Sequence, residues 1–132
     1  MTLRRTAMRR RYRNTGPDRR TRDIVAFRSL GLCEWPSCYD QATDLHHRLN
    51  RKMGGRKGDR ADQLNGAAWL LAACRFHHDR VTSATGDQLA EAKDYGWVLL
   101  ENEDAEHSLV AMFGGLFLLD NTGGKVPVHA AS

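Results

Sequence analysis

The chain contains the stretches Cys33-Glu34-Trp35-Pro36-Ser37-Cys38 and Cys74-Arg75-Phe76-His77-His78. Each stretch carries a pair of soft metal ligands, Cys33 with Cys38 in the first and Cys74 with His77 in the second. Three thiolates and one imidazole are a common ligand set for structural Zn²⁺, which binds four such ligands in a tetrahedron. The two pairs therefore predict one structural zinc site. His78 lies beside His77 and could exchange roles with it.

Three further histidines, His46, His47 and His78, predict a second site. His46 and His47 end the stretch Asp44-Leu45-His46-His47, which we expect to form a strand. Neighbouring strand residues point to opposite faces, so one histidine can face a metal ion while the other faces an attacking water. Asp44 shares the face of His46 and could orient it or place a carboxylate near the metal. With His78 approaching from the following helix, the pattern predicts metal-assisted phosphodiester cleavage with a histidine as general base.

The charge of the chain is unevenly distributed. Residues 1–80 contain 18 Lys and Arg against 8 Asp and Glu, whereas residues 81–132 contain 2 against 8. A basic region of this strength implies a polyanionic partner, and nucleic acid is the obvious one; a basic tail that only aids solubility is the alternative. The segment after His47 combines basic residues with Gly54-Gly55, which favours contacts with DNA phosphates over an ordinary solvated loop. The residues expected to make these contacts are Arg48, Arg51, Lys52, Arg56 and Lys57.

The composition limits the class of protein. The hydrophobic share of 41% is low for a globular domain, so the core is small and a metal ion would help to stabilise it. An odd number of cysteines, and the lack of an apolar segment behind the basic N-terminal residues, argue against secretion. We therefore expect a cytoplasmic protein. We expect no membrane span and, without a glycine-rich phosphate loop, no nucleotide cofactor.

The pattern of apolar and turn-forming residues predicts a small α+β fold. A helix begins after Pro17-Asp18, has Ile24, Phe27 and Leu30 on its apolar face, and ends at Gly31. The further elements expected are strands at 42–47 and 69–73, helices at 75–82 and 88–93, and strands at 97–100, 109–113 and 116–119, with a hairpin turn at Gly114-Gly115.

Together these motifs resemble the HNH endonucleases of the ββα-metal (His-Me finger) fold. The resemblance covers residues 20–100 and is carried by Arg28-Ser29-Leu30-Gly31-Leu32-Cys33-Glu34, Asp44-Leu45-His46-His47-Arg48, Met53-Gly54-Gly55 and Cys74-Arg75-Phe76-His77-His78-Asp79-Arg80. In particular, the chain is similar to small zinc-containing HNH proteins of actinobacteria and their phages, often encoded beside packaging genes. The resemblance implies that His46 and His78 bind a catalytic Mg²⁺ or other divalent ion and that His47 is the general base. It also implies that the structural zinc is held by Cys33, Cys38, Cys74 and His77.

One position departs from the family pattern. The asparagine of the HNH motif is expected nine residues before His78, where this chain has Trp69. In the family, that asparagine bonds to the backbone and holds the general-base loop in place. Either Asn65 takes this role, or the chain is a slower enzyme than its relatives. Thr82 stands where some relatives have a further histidine or asparagine, so water would complete the coordination of the metal.

The sequence thus predicts three segments: a basic, disordered arm at 1–16, a zinc-stabilised HNH nuclease domain with flanking helices at 17–95, and a small β appendage with a tail at 96–132. The main hypothesis is a metal-dependent endonuclease that nicks or cleaves DNA in a bacterial or phage-infected cell, with packaging or terminase proteins as partners. One alternative is a zinc-dependent DNA-binding or packaging-accessory module without catalysis, which Trp69 favours. Another is a zinc-organised protein-interaction module that docks a partner through its acidic C-terminal half.

Overall fold

The computed structural model describes residues 16–50 and 63–129, which form an α+β arrangement of helices and two antiparallel sheets. The helices are α1 (Arg19–Ser29), α2 (Arg75–Thr82) and α3 (Gly86–Asp94). The first sheet pairs β1 (Asp44–His47) with β2 (Leu70–Ala73). The second sheet contains β3 (Val110–Met112), β4 (Gly115–Leu119) and β5 (Lys125–Pro127), in that order. No helix in these two ranges is long and apolar enough to cross a membrane.

Helix α1 begins and ends where the sequence predicts. The carboxylate of Asp18 caps its first turn by accepting a hydrogen bond from the Thr21 N–H at 2.8 Å. At the other end Leu30 and Gly31 both have positive φ angles, and the Gly31 N–H reaches back to the Ala26 carbonyl at 3.2 Å. These local bonds explain why the bounds of α1 could be predicted from the sequence.

The face that α1 buries differs from the prediction. Phe27 and Leu30 are 84% and 79% exposed, whereas Val25 is completely buried. Arg28 explains the difference, because its guanidinium bonds the carboxylate of Glu34 at 2.8 Å and turns its side of the helix inward. Val25 lies three residues before Arg28 and therefore shares the inward face. The predicted apolar face is therefore wrong for Phe27 and Leu30, whereas Ile24 is partly buried against the core.

Strands β1 and β2 are followed by α2, which gives a β-β-α order. In the strand pair His46 lies opposite Leu71 and His47 lies opposite Leu70. Helix α2 starts at Arg75, as predicted, and the Cys74 sulfur at its N-cap accepts a hydrogen bond from the His77 N–H at 3.4 Å. This order places the end of β1 beside the start of α2.

The segment predicted as a strand at 97–100 is irregular instead. Its backbone bonds to α3 and to the end of β1: the Trp97 N–H donates to Ala92 and the Leu99 N–H donates to Arg48. A short apolar run cannot be assigned to a strand by periodicity alone, because a buried segment of any backbone conformation can have such a run. The other strand predictions are confirmed: β1, β2 and β3 are shorter than predicted, β4 is one residue longer, and β5 was not predicted.

The second sheet shares the main core with the β-β-α unit. Trp97, Val110 and Leu119 belong to the same cluster of buried residues as Trp35 and Trp69. The hairpin between β3 and β4 turns at Phe113-Gly114, one residue earlier than predicted, with φ angles of 94° at Gly114 and 136° at Gly115. Residues 96–129 therefore complete the core around which the first sheet packs.

Candidate active site and metal centre

The four predicted zinc ligands form a cluster, with ligand atoms that all lie within 4.8 Å of one another. The Cys74 sulfur is 3.2 Å from His77 Nδ1, the Cys33 sulfur is 3.7 Å from the same nitrogen, and the Cys38 and Cys74 sulfurs are 4.0 Å apart. Ligands of one tetrahedral Zn²⁺, with bonds of about 2.0–2.3 Å, lie roughly 3.4–3.8 Å from each other. The four residues could therefore hold one metal ion. Among the described residues, this is the sole His, Cys, Asp or Glu group of three or more with such spacing.

Burial makes charged thiolates costly in the cluster unless a bound cation balances their charge. Burial raises the pKa of Cys33 to about 12 and also raises the pKa of Cys38, because thiolates are poorly solvated there. Burial lowers the pKa of His77, which favours the neutral imidazole that a metal requires. The His77 ring stacks on Trp35 with the ring centres 5.2 Å apart, which holds its position at the sulfurs. The cluster therefore includes His77, and the exchange with His78 left open by the sequence is not seen.

Three histidines line a separate cleft of about 380 Å³ between the end of β1 and α2. Two of them, His46 and His47, end β1, and the third, His78, lies in the first turn of α2. The remaining lining residues of the cleft are Arg48, Asn50, Val81, Thr82, Ala84, Leu89 and Val98. The structure thus brings together the three histidines that the sequence predicted to form a second site.

His46 is oriented by the backbone of the irregular segment after α3. Its side chain is buried, and its Nε2 lies 2.6 Å from the Trp97 carbonyl oxygen. A carbonyl oxygen can only accept, so Nε2 carries the proton and the lone pair is on Nδ1. Burial lowers the pKa of His46 to about 4, which keeps the ring neutral at pH 7. Trp97 also stacks on the imidazole, with ring centres 5.6 Å apart.

His78 is oriented by a carboxylate. Its Nδ1 lies 2.8 Å from Asp44 Oδ2, and Arg75 approaches the same oxygen at 3.3 Å. The hydrogen bond from His78 holds the pKa of Asp44 below its usual value. Asp44 was predicted to orient His46 or to add a metal ligand, and in the structure it contacts His78. The His46 and His78 rings are 5.8 Å apart.

His47 contacts the asparagine that the sequence offered as a substitute. Its Nε2 lies 3.0 Å from Asn65 Oδ1, across 18 residues of sequence. Trp69, at the family's asparagine position, is 1% exposed and belongs to the core. Asn65 therefore lies beside His47, and its role as a substitute for the missing asparagine stays a prediction.

Arg48 was predicted to contact DNA phosphates, and this prediction is wrong. The residue has 0% exposure, and its guanidinium donates hydrogen bonds to the backbone carbonyls of Gly96, Ala68, Ala105 and Ser108. Burial lowers its pKa to about 10, so the side chain is still charged at pH 7. The basic composition of the region could not show that this one side chain turns inward. The other predicted phosphate contacts, Arg51, Lys52, Arg56 and Lys57, lie outside the described residues, as does nearly all of the arm at 1–16.

Trp97 was missed as a site residue. Its carbonyl oxygen, which lies against His46, left no signal in the sequence because every residue has one. Arg48 was predicted as a site residue but with the wrong partner. Comparisons with models of protein families, with curated proteins and with solved structures find no match for this chain.

Proposed function

We propose that this protein is a metal-dependent endonuclease of the HNH type that hydrolyses DNA phosphodiester bonds. The observation that supports the proposal is the cleft, where three histidines meet and each has a different polar partner. These partners are a backbone carbonyl for His46, the amide of Asn65 for His47, and a carboxylate for His78. The β1-β2-α2 order matches the ββα-metal fold that the sequence resembles.

His47 is the proposed general base. With Asn65 Oδ1 accepting its Nε2 proton, the lone pair of the neutral ring is on Nδ1, which is the atom that takes a proton from the attacking water. Asn65 fixes both the tautomer and the direction of the ring. The residue therefore has the two properties that a general base requires, a basic nitrogen and a fixed position.

His46 and His78 would hold the catalytic divalent ion, Mg²⁺ or another. Metal-binding histidines usually donate their second ring N–H to a carbonyl or carboxylate, and both residues do so, to Trp97 and Asp44 respectively. This arrangement leaves Nδ1 of His46 and Nε2 of His78 as the ligand atoms. The ion would supply positive charge that stabilises the developing phosphorane and the leaving oxygen.

Zinc is the ion that we propose for the cysteine cluster. Three thiols and one imidazole form a donor set that zinc prefers, and a structural site of this kind contributes directly to folding. The cluster joins the Cys33–Cys38 turn to the start of α2 through His77. Since His78 is the next residue, the zinc site also positions one side of the cleft.

DNA is the proposed substrate because of the charge of the chain. Arg19, Arg20 and Arg22 are exposed or partly exposed on α1, in the strongly basic half of the sequence. Contacts with phosphates would make binding fall steeply with salt and vary little with DNA sequence. The family resemblance alone supports the cytoplasm of a bacterial or infected cell as the place of action, and packaging or terminase proteins as partners.

A plasmid-relaxation assay tests the proposal. We expect the zinc-loaded protein to convert supercoiled plasmid to nicked or linear DNA only when Mg²⁺ or Mn²⁺ is added. His47→Ala should lower the rate by about 10²–10⁴-fold while zinc content, folding and DNA binding are retained. His107→Ala is the matched control, because its side chain is 83% exposed and outside the cleft.

The assay also separates the alternatives. An intact plasmid with every divalent ion tried, from neutral to alkaline pH, would contradict the endonuclease. Salt-sensitive DNA binding in that case would support a binding module, and absence of DNA binding would support a protein-interaction module.

A further inference from the structure

We infer that Arg48 is a positioning residue whose buried guanidinium fixes the two segments that orient His46 and His47. The catalytic consequence rests on the proposed function. The structural consequence, the orientation of His46, can be measured without DNA. Arg48 immediately follows His47 at the end of β1, where its side chain turns away from solvent into the core.

The guanidinium joins three separate segments of backbone. Its Nε donates to the Gly96 carbonyl at 2.8 Å, and its Nη1 donates to Ala68 at 2.9 Å and Ala105 at 3.0 Å. Its Nη2 donates to the Ser108 carbonyl at 3.1 Å. The main chain of Arg48 adds two further bonds. Its N–H donates to the carbonyl of residue 69 at 2.9 Å, and its carbonyl oxygen accepts from the N–H of residue 99 at 2.7 Å.

One of these segments supports His46. The Gly96 carbonyl that Arg48 holds belongs to the residue before Trp97, and the Trp97 carbonyl accepts the His46 Nε2–H. A shift of the 96–97 backbone would therefore move the acceptor that fixes the tautomer of His46. His46 depends on Arg48 through a chain of two consecutive peptide groups.

A second segment supports His47. Ala68 lies in the short helical turn Ala67–Trp69, which is separated from Asn65 by Gly66 alone. Arg48 bonds this turn through its side chain, at the Ala68 carbonyl, and through its own N–H, at the carbonyl of residue 69. Asn65, which contacts His47, therefore lies a few residues before a stretch of backbone that Arg48 holds in place.

Only arginine can make this set of bonds. Its planar guanidinium has five N–H donors that point in different directions, whereas lysine has three donors on one nitrogen. Burying a charge is costly, and apolar residues of similar size often give equal or greater stability. A buried arginine at this position is therefore better explained by the need to place these backbone segments than by stability alone.

The first test compares Arg48→Lys with Arg28→Lys. Arg28 is a matched control, because its side chain is also buried and donates to two backbone carbonyls, those of Ala67 and Leu70. We expect both variants to keep their metal and to unfold at lower temperature. In nitrogen-edited NMR of the imidazoles, Arg48→Lys should lose the fixed Nε2–H tautomer of His46, and Arg28→Lys should retain it. An unchanged His46 tautomer in folded Arg48→Lys would overturn the inference.

A second pair of variants decides the question if Arg48→Lys does not fold. A Cβ at Gly96 would meet the Leu109 carbonyl oxygen at 1.9 Å, whereas a Cβ at Gly31 would meet nothing within 4 Å. Both glycines have nearly equal positive φ angles, of 73° and 75°, so the conformational strain of alanine is matched. Gly96→Ala should disturb the His46 tautomer and Gly31→Ala should not. Equal behaviour of the two variants would overturn the inference.

Cleavage kinetics distinguish positioning from DNA contact. Because Arg48 is buried, Arg48→Lys should lower kcat by about 10–100-fold and leave KM for plasmid and its salt dependence nearly unchanged. A higher KM with normal kcat would show that Arg48 binds phosphate, and would overturn the inference. If the wild-type protein does not cut DNA but the tautomer still changes in Arg48→Lys, the proposed function fails and the positioning role stands.

Discussion

The cysteine cluster and the histidine cleft meet at one peptide bond, between His77 and His78, yet they are built in different ways. In the cluster, four side chains from two short turns converge on one another. In the cleft, each imidazole is oriented by a group from another part of the chain, such as the Trp97 carbonyl or Asn65. Each ligand pair of the cluster is a property of local sequence, whereas the orientation of every histidine in the cleft depends on the whole core.

This difference has consequences for mutations. If the cluster holds zinc as proposed, loss of one ligand should remove the metal and with it a large share of the folding free energy. Loss of one orienting group in the cleft should leave the fold intact and lower the cleavage rate only in part. The four predictions that follow test this contrast.

The largest effect is expected from His77→Ala compared with His78→Ala. Apparent binding free energies of structural zinc are on the order of 10–16 kcal/mol, so His77→Ala should lose zinc and much of its folded structure. His78→Ala should keep one zinc per chain and a cooperative thermal transition, because its Nδ1 bonds Asp44 and lies outside the cluster. Metal analysis and thermal unfolding measure both outcomes. Equal zinc content in the two variants would show that the contrast is wrong.

The second effect is a pH dependence of stability caused by His46. Its pKa is about 4 in the folded protein, below the value of about 6.5 expected when unfolded, so the unfolded chain binds the proton more readily. The stabilisation is complete above about pH 6.5 and is lost as the pH falls towards 4, by at most about 3 kcal/mol. Urea unfolding without added divalent ions should show this slope.

Two variants test whether His46 causes this pH dependence of stability. His46→Gln should remove it, because glutamine does not titrate, whereas His107→Gln should keep it, because the exposed His107 lies outside the core. If His46→Gln retains the full slope, the buried imidazole is not its source.

The third effect concerns Asn65. Loss of the group that orients a catalytic histidine should lower the cleavage rate by about 10–100-fold for Asn65→Ala, with folding and zinc content unchanged. Asn65→Asp should recover part of the rate, because a carboxylate oxygen also accepts the His47 Nε2–H. Asn102→Ala, at an exposed position, is the control. Full activity of Asn65→Ala would show that His47 needs no support from this residue.

The smallest effect is expected for Asp44→Asn. The amide oxygen can still accept the His78 Nδ1–H, so we expect less than about a 10-fold loss of activity and a higher Mg²⁺ concentration for half-maximal cleavage. In the wild-type protein the hydrogen bond from His78 holds the pKa of Asp44 low. The contribution of Asp44 to stability is therefore present above the ordinary carboxyl range of pH and is lost in acid. Because the pair is partly exposed, that contribution should be below about 1 kcal/mol. A complete loss of cleavage would mean that Asp44 does more than orient His78.

The sequence by itself determined the local features. The spacing of Cys33 with Cys38, and of Cys74 with His77, predicted the metal cluster, because each pair lies within one short turn. The start of α1 after Asp18 and the bounds of α2 at 75–82 were predicted correctly for the same reason, since their hydrogen bonds join residues a few positions apart. The presence of a histidine group outside the cluster was also predictable.

The tertiary structure alone decided the orientation of the side chains. Arg48 looked like part of a basic surface and lies in the core, and Phe27 looked like part of the core and lies in solvent. The pairing of His46 with the Trp97 carbonyl spans 51 residues and uses a backbone atom. Backbone acceptors are identical in every residue, so no sequence pattern marks the one that a buried imidazole will meet. That choice is made by the packing of distant segments, and with it the geometry of the cleft.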